Sequence, residues 1–537
     1  MRRVLTPPGS CGLARLVPTC VGRFVVLAVA LFSAATLSAA AAADDPFSVQ
    51  VIESRGRTVT AELVDLDGDG RQDLLQAVTF GIPPDERRLV RVHIQTADGT
   101  IPPTPTLEAP LPENSAAYDL AEADENPGAE LLLLRPRGIG IMSFVRQEDG
   151  SLEVATRHAA IPQDLTMGVS SDERGLDRLP LATAAFGDPR WLIAPGLGET
   201  FFLTADGDLK ARVASGARAN FFIQPSGLML SESDIQIFLD APRISVGDVN
   251  GDGRPDIVAS QRHQLLLFFQ DEEGRFDRAP SQSVTLGRLT FQDHIRGSGT
   301  VRTSAQDIDG DGLADLILSE TQGSVMDAGY NTFIYFNRGT GWDLDAPDYA
   351  FESPEVLGAD QLIDIDGDGR LELMRIGIPI NVLELIEIFL QEAIDANLVV
   401  YGLERPASLP ETPRSPEPWF DVKLGVPLDF ETSRPAGFVP TVEHDFNGDG
   451  FRDYISSTDG TKLELYAGSR KRGYKKRHAR QKIATEGQIR PGDLNGDGLT
   501  DLVMFNTRRD NQPVRLLFNS GVLPGTVVKP GLSAQPD

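Results

Sequence analysis

Cysteine is nearly absent: the 537-residue chain has two, Cys11 and Cys20, and nothing after residue 20 carries a thiol. A disulfide framework is thereby excluded, and bound metal becomes the obvious alternative source of extra stability. Positive charge is also short, with 50 Lys and Arg against 78 Asp and Glu and a formal net charge of −28. That balance argues against nucleic acid as a partner and against attraction to an anionic membrane, since both need basic surface. Long apolar runs are lacking too; the one from Phe24 to Leu37 is too short to span a bilayer comfortably. The six histidines are dispersed, and none is paired with a nucleophile by spacing. There is no His-Glu-x-x-His, no Gly-x-Ser-x-Gly and no phosphate-binding Gly-x-x-x-x-Gly-Lys-Ser/Thr. Carboxylates are abundant, which leaves an acid/base pair open without arguing for one.

The short apolar run fits a targeting segment. Arg2, Arg3, Arg15 and Arg23 precede its core, it ends in small residues, and Ala41-Ala42-Ala43 before Asp44 suits a signal peptidase. Residues 1–43 are therefore expected to be a signal peptide. The expected mature chain, 44–537, has no transmembrane segment and goes to the periplasm, the outer surface or the medium. Without the four arginines it has 46 basic residues against 78 acidic, a net charge of −32.

What the chain has in quantity is one acidic, glycine-bearing stretch. Its first copy, Asp-Leu-Asp-Gly-Asp-Gly-Arg-Gln-Asp at 65–73, runs straight into Leu74-Leu75, and it returns at 248–256, 307–315, 364–372, 445–453 and 493–501. A hard cation such as calcium takes six to eight oxygens from a loop that bends around it. Positions 1, 3, 5 and 9 can supply side-chain oxygens: Asp65, Asp67, Asp69 and Asp73 in the first copy; Asp248, Asn250, Asp252 and Asp256 in the second; Asp307, Asp309, Asp311 and Asp315 in the third. The later copies offer Asp364, Asp366, Asp368 and Glu372; Asp445, Asn447, Asp449 and Asp453; and Asp493, Asn495, Asp497 and Asp501. Position 7 holds Arg71, Arg254, Leu313, Arg370, Phe451 and Leu499, a mixture that suits a backbone carbonyl ligand. Glycine at positions 4 and 6 permits a tight turn. Position 2 is always apolar, so each loop is pinned to a core. The expectation is about six calcium ions, which with 21 acidic ligands would bring the net charge to about −20.

The end of the loop separates the possible families. An EF-hand needs Glu at position 12 and a helix after it, but position 12 is Gln76, Ala259, Leu318, Arg375, Ser456 and Met504, and the flanks read as buried strand. Dockerin modules pair two such loops within a short stretch, which the wide spacing opposes. The sequence closely resembles the FG-GAP or VCBS repeat of integrin-like propellers, Asp-x-(Asp/Asn)-Gly-Asp-Gly-x-x-(Asp/Glu)-Leu. The resemblance implies a calcium-binding β-propeller that closes by pairing its first and last strands, with Phe47 to Ile52 available for the purpose.

The period supports one large domain. The gap from 65 to 248 is 183 residues, room for two degenerate units, which fall at Glu122–Glu130 and Ala185–Ile193. Gly-centred turns follow most loops, including the unit that has lost its ligands. The expected fold is all-β, a seven- or eight-bladed propeller of FG-GAP/VCBS-like repeats. One interval, 364 to 445, is long and carries an insertion at about 376–420: a helix from Ile380 to Ala396 with its polar residues largely on one side, then a proline-rich loop. A basic cluster from Arg470 to Lys482 stands out on an acidic chain.

Fold does not choose function. The resemblance implies an exported, non-catalytic interaction, adhesion or scaffold protein with a protein or glycan partner. The alternative is a secreted propeller enzyme or a lectin acting on polysaccharide. An enzyme would need paired carboxylates in a central cleft, and a lectin exposed aromatics, of which Trp191, Trp342 and Trp419 are the only tryptophans.

Overall fold

The computed structural model describes residues 45–81, 85–147, 149–162, 176–225, 233–261, 263–288, 299–322, 329–353, 357–378, 393–429, 434–435, 438, 440–458, 460–523 and 526. The expected signal peptide lies outside them. The described chain is all β and forms eight blades, each built around four antiparallel strands. Blade 1 spans 57–110, blade 2 117–160, blade 3 182–213, blade 4 243–285, blade 5 299–353, blade 6 357–435 and blade 7 441–482. Blade 8 takes three strands from 488–519 and its fourth from the N-terminus, where Phe47–Ile52 pairs antiparallel with Val514–Asn519. The ring is thus closed by the two ends of the chain, and eight is the blade number.

The apolar pattern explains why the ring holds. Strands that follow the acidic loops are continuous runs buried on both faces, as in Asp73–Phe80 and Asp501–Phe505. Each blade packs against the blade before and the blade after, so there is no single core. Eight buried clusters sit one at each joint, for example Leu75, Val90 and Val92 of blade 1 against Leu131, Leu133 and Met142 of blade 2. The last joint places Ala61 and Leu74 of blade 1 against Val503, Phe505 and Leu516 of blade 8. The unit without acidic ligands makes an ordinary joint, with Phe202 and Val213 of blade 3 on Ile257 and Phe268 of blade 4.

Two elements differ from the sequence reading. The expected helix from Ile380 to Ala396 falls mostly on residues that are not described, but its last four residues open the strand Ala393–Tyr401, and the described residues contain no helix. That strand alternates buried and partly buried positions and pairs on both sides, with Ala396 opposite Leu424 and Leu398 opposite Ile376. A short apolar segment fits either period, and pairing with two neighbouring strands settles it as strand. The second difference is a two-stranded hairpin, Arg218–Pro225 with Ser233–Asp240, between blades 3 and 4. The repeat pattern gives no sign of it, because it belongs to no blade.

Candidate metal centres

All six complete loops join the first strand of a blade to the second, and all have the same internal frame. The carboxylate at position 1 closes the turn from inside: one oxygen accepts the position-4 glycine N–H and the other the position-6 glycine N–H. These bonds are 2.8 and 2.8 Å on Asp65, 2.7 and 2.7 Å on Asp248 and 2.8 and 2.8 Å on Asp493. Both glycines have positive φ in every copy, between 71° and 92°, which is why the sequence keeps glycine there. At Gly68 a side chain would also collide with Pro127 of the next blade.

Position 9 fastens the loop to its own blade. Its carboxylate is buried in every copy. One oxygen accepts the N–H of position 2, as from Leu66 to Asp73 at 3.0 Å and from Ile365 to Glu372 at 2.9 Å. In five copies the other oxygen accepts an N–H from the end of the third strand: Gln95, Gln270, Asn337, Gly468 and Asn519, at 2.6 to 3.0 Å. Burial pushes Asp73, Asp315, Glu372, Asp453 and Asp501 up to about 7, and these backbone bonds oppose the shift. Asp256 is raised for the same reason. At position 5, the carboxylate accepts the N–H of position 7, at 3.0 Å for Arg71 to Asp69 and 2.8 Å for Leu499 to Asp497.

Position 3 is where the copies part. The three Asp copies bring acidic oxygens together, with Asp65, Asp67 and Asp73, then Asp307, Asp309 and Asp311, and then Asp364, Asp366 and Glu372 each within 4.8 Å. Oδ1 of Asp67 and Oδ1 of Asp366 are buried without a hydrogen bond. Each Asp copy meets an arginine of the following blade: Arg146 at 2.5 Å from Asp67, Arg405 at 2.8 Å from Asp309, and Arg470 at 3.7 Å from Asp366. In the three Asn copies the amide instead donates within the loop, to Asp252, Asp449 and Asp497, at 3.0 Å each. Orphaned carboxylate oxygens in an all-oxygen donor set suit a hard divalent cation.

The loops also bond to one another. A main-chain carbonyl at position 1 or 2 accepts from the next blade's loop, as in Ala129 to Asp65 at 2.8 Å, Ala314 to Asp248 at 2.7 Å, Leu371 to Ile308 at 2.8 Å and Arg452 to Ile365 at 2.8 Å. A side-chain amide does this after each Asn loop: Asn337 to Val249 and Asn519 to Phe446, both at 2.8 Å, and Gln95 to Leu494. The series runs from blade 4 through blade 8 to blades 1 and 2, and among the described residues it stops on either side of blade 3, where the acidic loop is lost. The degenerate loop at 122–130 keeps the buried fastening, with Ala123 donating to Glu130 at 2.7 Å. Its Asp124 pairs with Arg157 of the same blade.

Sequence reasoning named the loop residues and missed those that answer them from the next blade. No spacing in the sequence places them: Arg146 ends the third strand of its blade while Arg405 and Arg470 lie beyond theirs, and only the strand register shows that they share one position. The basic cluster is partly spent locally: Arg477 and Arg480 reach Glu464 at 2.7 and 3.3 Å, and Arg470 lies 3.9 Å over the Trp419 ring.

The FG-GAP-like repeat family matches residues 248–318 and 445–504, which take in the loops of blades 4, 5, 7 and 8. Curated protein sequences give no match. Similar solved structures include one described as specific recognition of non-reducing terminal N-acetylglucosamine by a lectin of Agrocybe aegerita, at 14% identity and TM-score 0.35 over 87% of this chain and 86% of that one. Sqt1 from Chaetomium thermophilum is similar at 11% identity and TM-score 0.40 over 87% and 97%, and the Dos1 propeller at 7% and 0.32 over 88% and 95%.

Proposed function

The chain is a propeller of FG-GAP repeats, and on that premise we propose that it is an exported, calcium-loaded interaction or scaffold protein without catalytic activity. The observation that carries this reading is the frame common to the six loops, with the buried, hydrogen-bond-free Oδ1 atoms of Asp67 and Asp366 inside it. Asp65, Asp67, Asp69 and Asp73, with the carbonyl of Arg71, would hold the ion in blade 1, and the matching positions would hold it in blades 4 to 8. A bound calcium supplies two positive charges to a group of three or four carboxylates that otherwise repel one another. The residues themselves do the rest: position 1 shapes the turn, position 9 ties it to the third strand, and the position-1 or position-2 carbonyl ties it to the next blade. Extracellular calcium modules commonly bind with dissociation constants of roughly 0.1 to 1 mM, so the ring would become firm only after export.

The experiment is a thermal melt of residues 44–537 with calcium titrated against a chelator, followed by a count of bound ions. A rise in Tm with calcium and about six ions per chain supports the reading. No shift and no bound ion sinks it, and the loops become acidic turns. Glycan recognition is a second reading, favoured by a cavity of about 370 Å³ between blades 5 and 6 lined by Tyr335, Trp342, Asp343 and Leu409. Binding on a glycan array that Trp342→Ala abolishes would support it, and an array without hits would remove it.

A further inference from the structure

The choice of Asp or Asn at loop position 3 extends into the neighbouring blade. The residue two past the partner of loop position 10 stands at the end of each third strand. In blades 1, 5 and 8 it is an amide, Gln95, Asn337 or Asn519, and each of these blades follows a loop with Asn at position 3. In blades 2, 6 and 7 it is Phe144, Leu403 or Gly468, and each follows a loop with Asp. Two residues further on, these last three blades have arginine without exception, Arg146, Arg405 and Arg470, where the amide blades have Ala97, Gly339 and Gly521. All six joints obey the rule.

Charge gives the reason. An Asp loop offers four carboxylates and an Asn loop three, and one guanidinium from the next blade restores the balance. The contact is with the ligand oxygens themselves. Arg405 lies 2.8 Å from Asp309, 2.5 Å from Asp311 and 3.7 Å from Asp315. Arg146 lies 2.5 Å from Asp67 and 4.0 Å from Asp69. Arg470 stands back at 3.7 Å from Asp366, against the Trp419 ring. The Asn loops instead satisfy position 3 from within and take the neighbouring amide on a main-chain carbonyl, away from the carboxylates.

We propose that the six loops form two classes of cation site. In the three Asn loops the ion meets no arginine from the next blade among the described residues, the guanidinium at Asp252 being that of Arg254 in the loop itself, at 2.5 Å. In the three Asp loops the next blade's arginine shares those carboxylates with the ion, so that arginine and calcium compete and these loops bind calcium more weakly. The inference rests on the calcium reading above. It makes the Asp joints cation-bridged with or without metal, and it ranks the competition by contact: strongest at the blade 5 loop, then blade 1, and weakest at blade 6.

Calcium titration of the metal-stripped chain by calorimetry tests this, with Arg405→Gln, Arg146→Gln and the double variant Asp309→Asn/Arg405→Gln beside the parent. The parent should show two classes of site. Arg405→Gln should tighten one site of the weaker class by roughly tenfold, the scale of one strong ion pair, and leave the stronger class unchanged. The double variant, an Asn joint by design, should move that site into the stronger class. In chelator, Arg405→Gln should melt below the parent, and saturating calcium should remove the difference. Weaker or unchanged calcium binding in Arg405→Gln, with the double variant no different from the parent, would overturn the two-class proposal while leaving the calcium reading intact. No calcium binding in the parent would overturn both.

Discussion

At the scale of single residues, the most constrained group is the position-9 carboxylate, which is shut away from water and answered mainly by main-chain N–H groups. Its ionised form is disfavoured by burial, so Asp73, Asp315, Glu372, Asp453 and Asp501 titrate near 7 in the folded chain, against about 4 for a free carboxyl. The sign follows from linkage. Below about pH 4 both states hold the proton and the contribution is complete. As pH rises the unfolded chain ionises first, and the stability is lost through about 7. In chelator, Tm should therefore fall between pH 5 and pH 8. His444, pushed down to about 4 by burial, works in the opposite sense at the acid end of that range. With calcium the slope should reverse, because the ion binds the ionised form. A chelated protein whose Tm rises steadily to pH 8 would contradict this assignment. The same residue carries a direct test: Asp501→Ala removes acceptors from Leu494 and Asn519, at 2.8 and 2.6 Å. Leaving buried N–H groups without an acceptor costs about 1–3 kcal/mol, so urea unfolding at pH 5, where the carboxyl is protonated, should show a loss of roughly that size.

At the scale of the element, a loop is legible in sequence because its requirements are local. Asp at position 1 and glycine at 4 and 6 meet within six residues, and the structure puts all of them where that spacing demands. Asn519 belongs to another class. Its N–H serves Asp501 of its own blade while its amide serves Phe446 of the blade before, 73 positions earlier. No local pattern announces such a residue. Asn519→Ala should keep the bond to Asp501 and lose the cross-blade bond, costing about 1–2 kcal/mol in urea unfolding. Asn506→Ala, whose side chain bonds to Glu486, Arg508 and Arg509 and to no acidic loop among the described residues, is a suitable control. The strand Ala393–Tyr401 illustrates the same limit from the other side. Its first residues satisfy a helical period on paper, and only the neighbours at Leu424 and Ile376 make it a strand.

At the scale of the molecule, eight joints of similar kind form a ring, and the ring depends on one strand from the far end of the chain. Phe47 is fully buried, stands 6.1 Å edge-on from Phe446, and exchanges hydrogen bonds with Gln481 at 3.2 and 3.0 Å. Phe47→Ala should cost about 3–5 kcal/mol, the range for deleting a buried phenylalanine. Removal of residues 44–52 should leave blade 8 with an open edge, seen as a broadened, less cooperative melt. If the truncated chain melts as sharply and as high as the parent, the closing strand is dispensable. The acidic loops form a second ring of bonds, interrupted at blade 3, and blade 3 should therefore gain least from calcium. Hydrogen exchange with and without the ion would show slowing in the loops of blades 4 to 8 and 1, and little change across 184–190.

By itself the sequence determined the repeat, its eight units, the strand character around each loop and the acidic side chains that gather in it, because all of these depend on contacts between residues close in the chain. It also offered Phe47 to Ile52 as a closing strand, through the resemblance to propellers that close that way. The tertiary structure alone decided that the blades number eight, that Arg146, Arg405 and Arg470 enter the loops before them, and that Asn337, Asn519 and Gln95 bind the loops into a series. Those facts are set by which blade lies beside which, and side chains brought together only by the closing of a ring leave no period in the sequence to read.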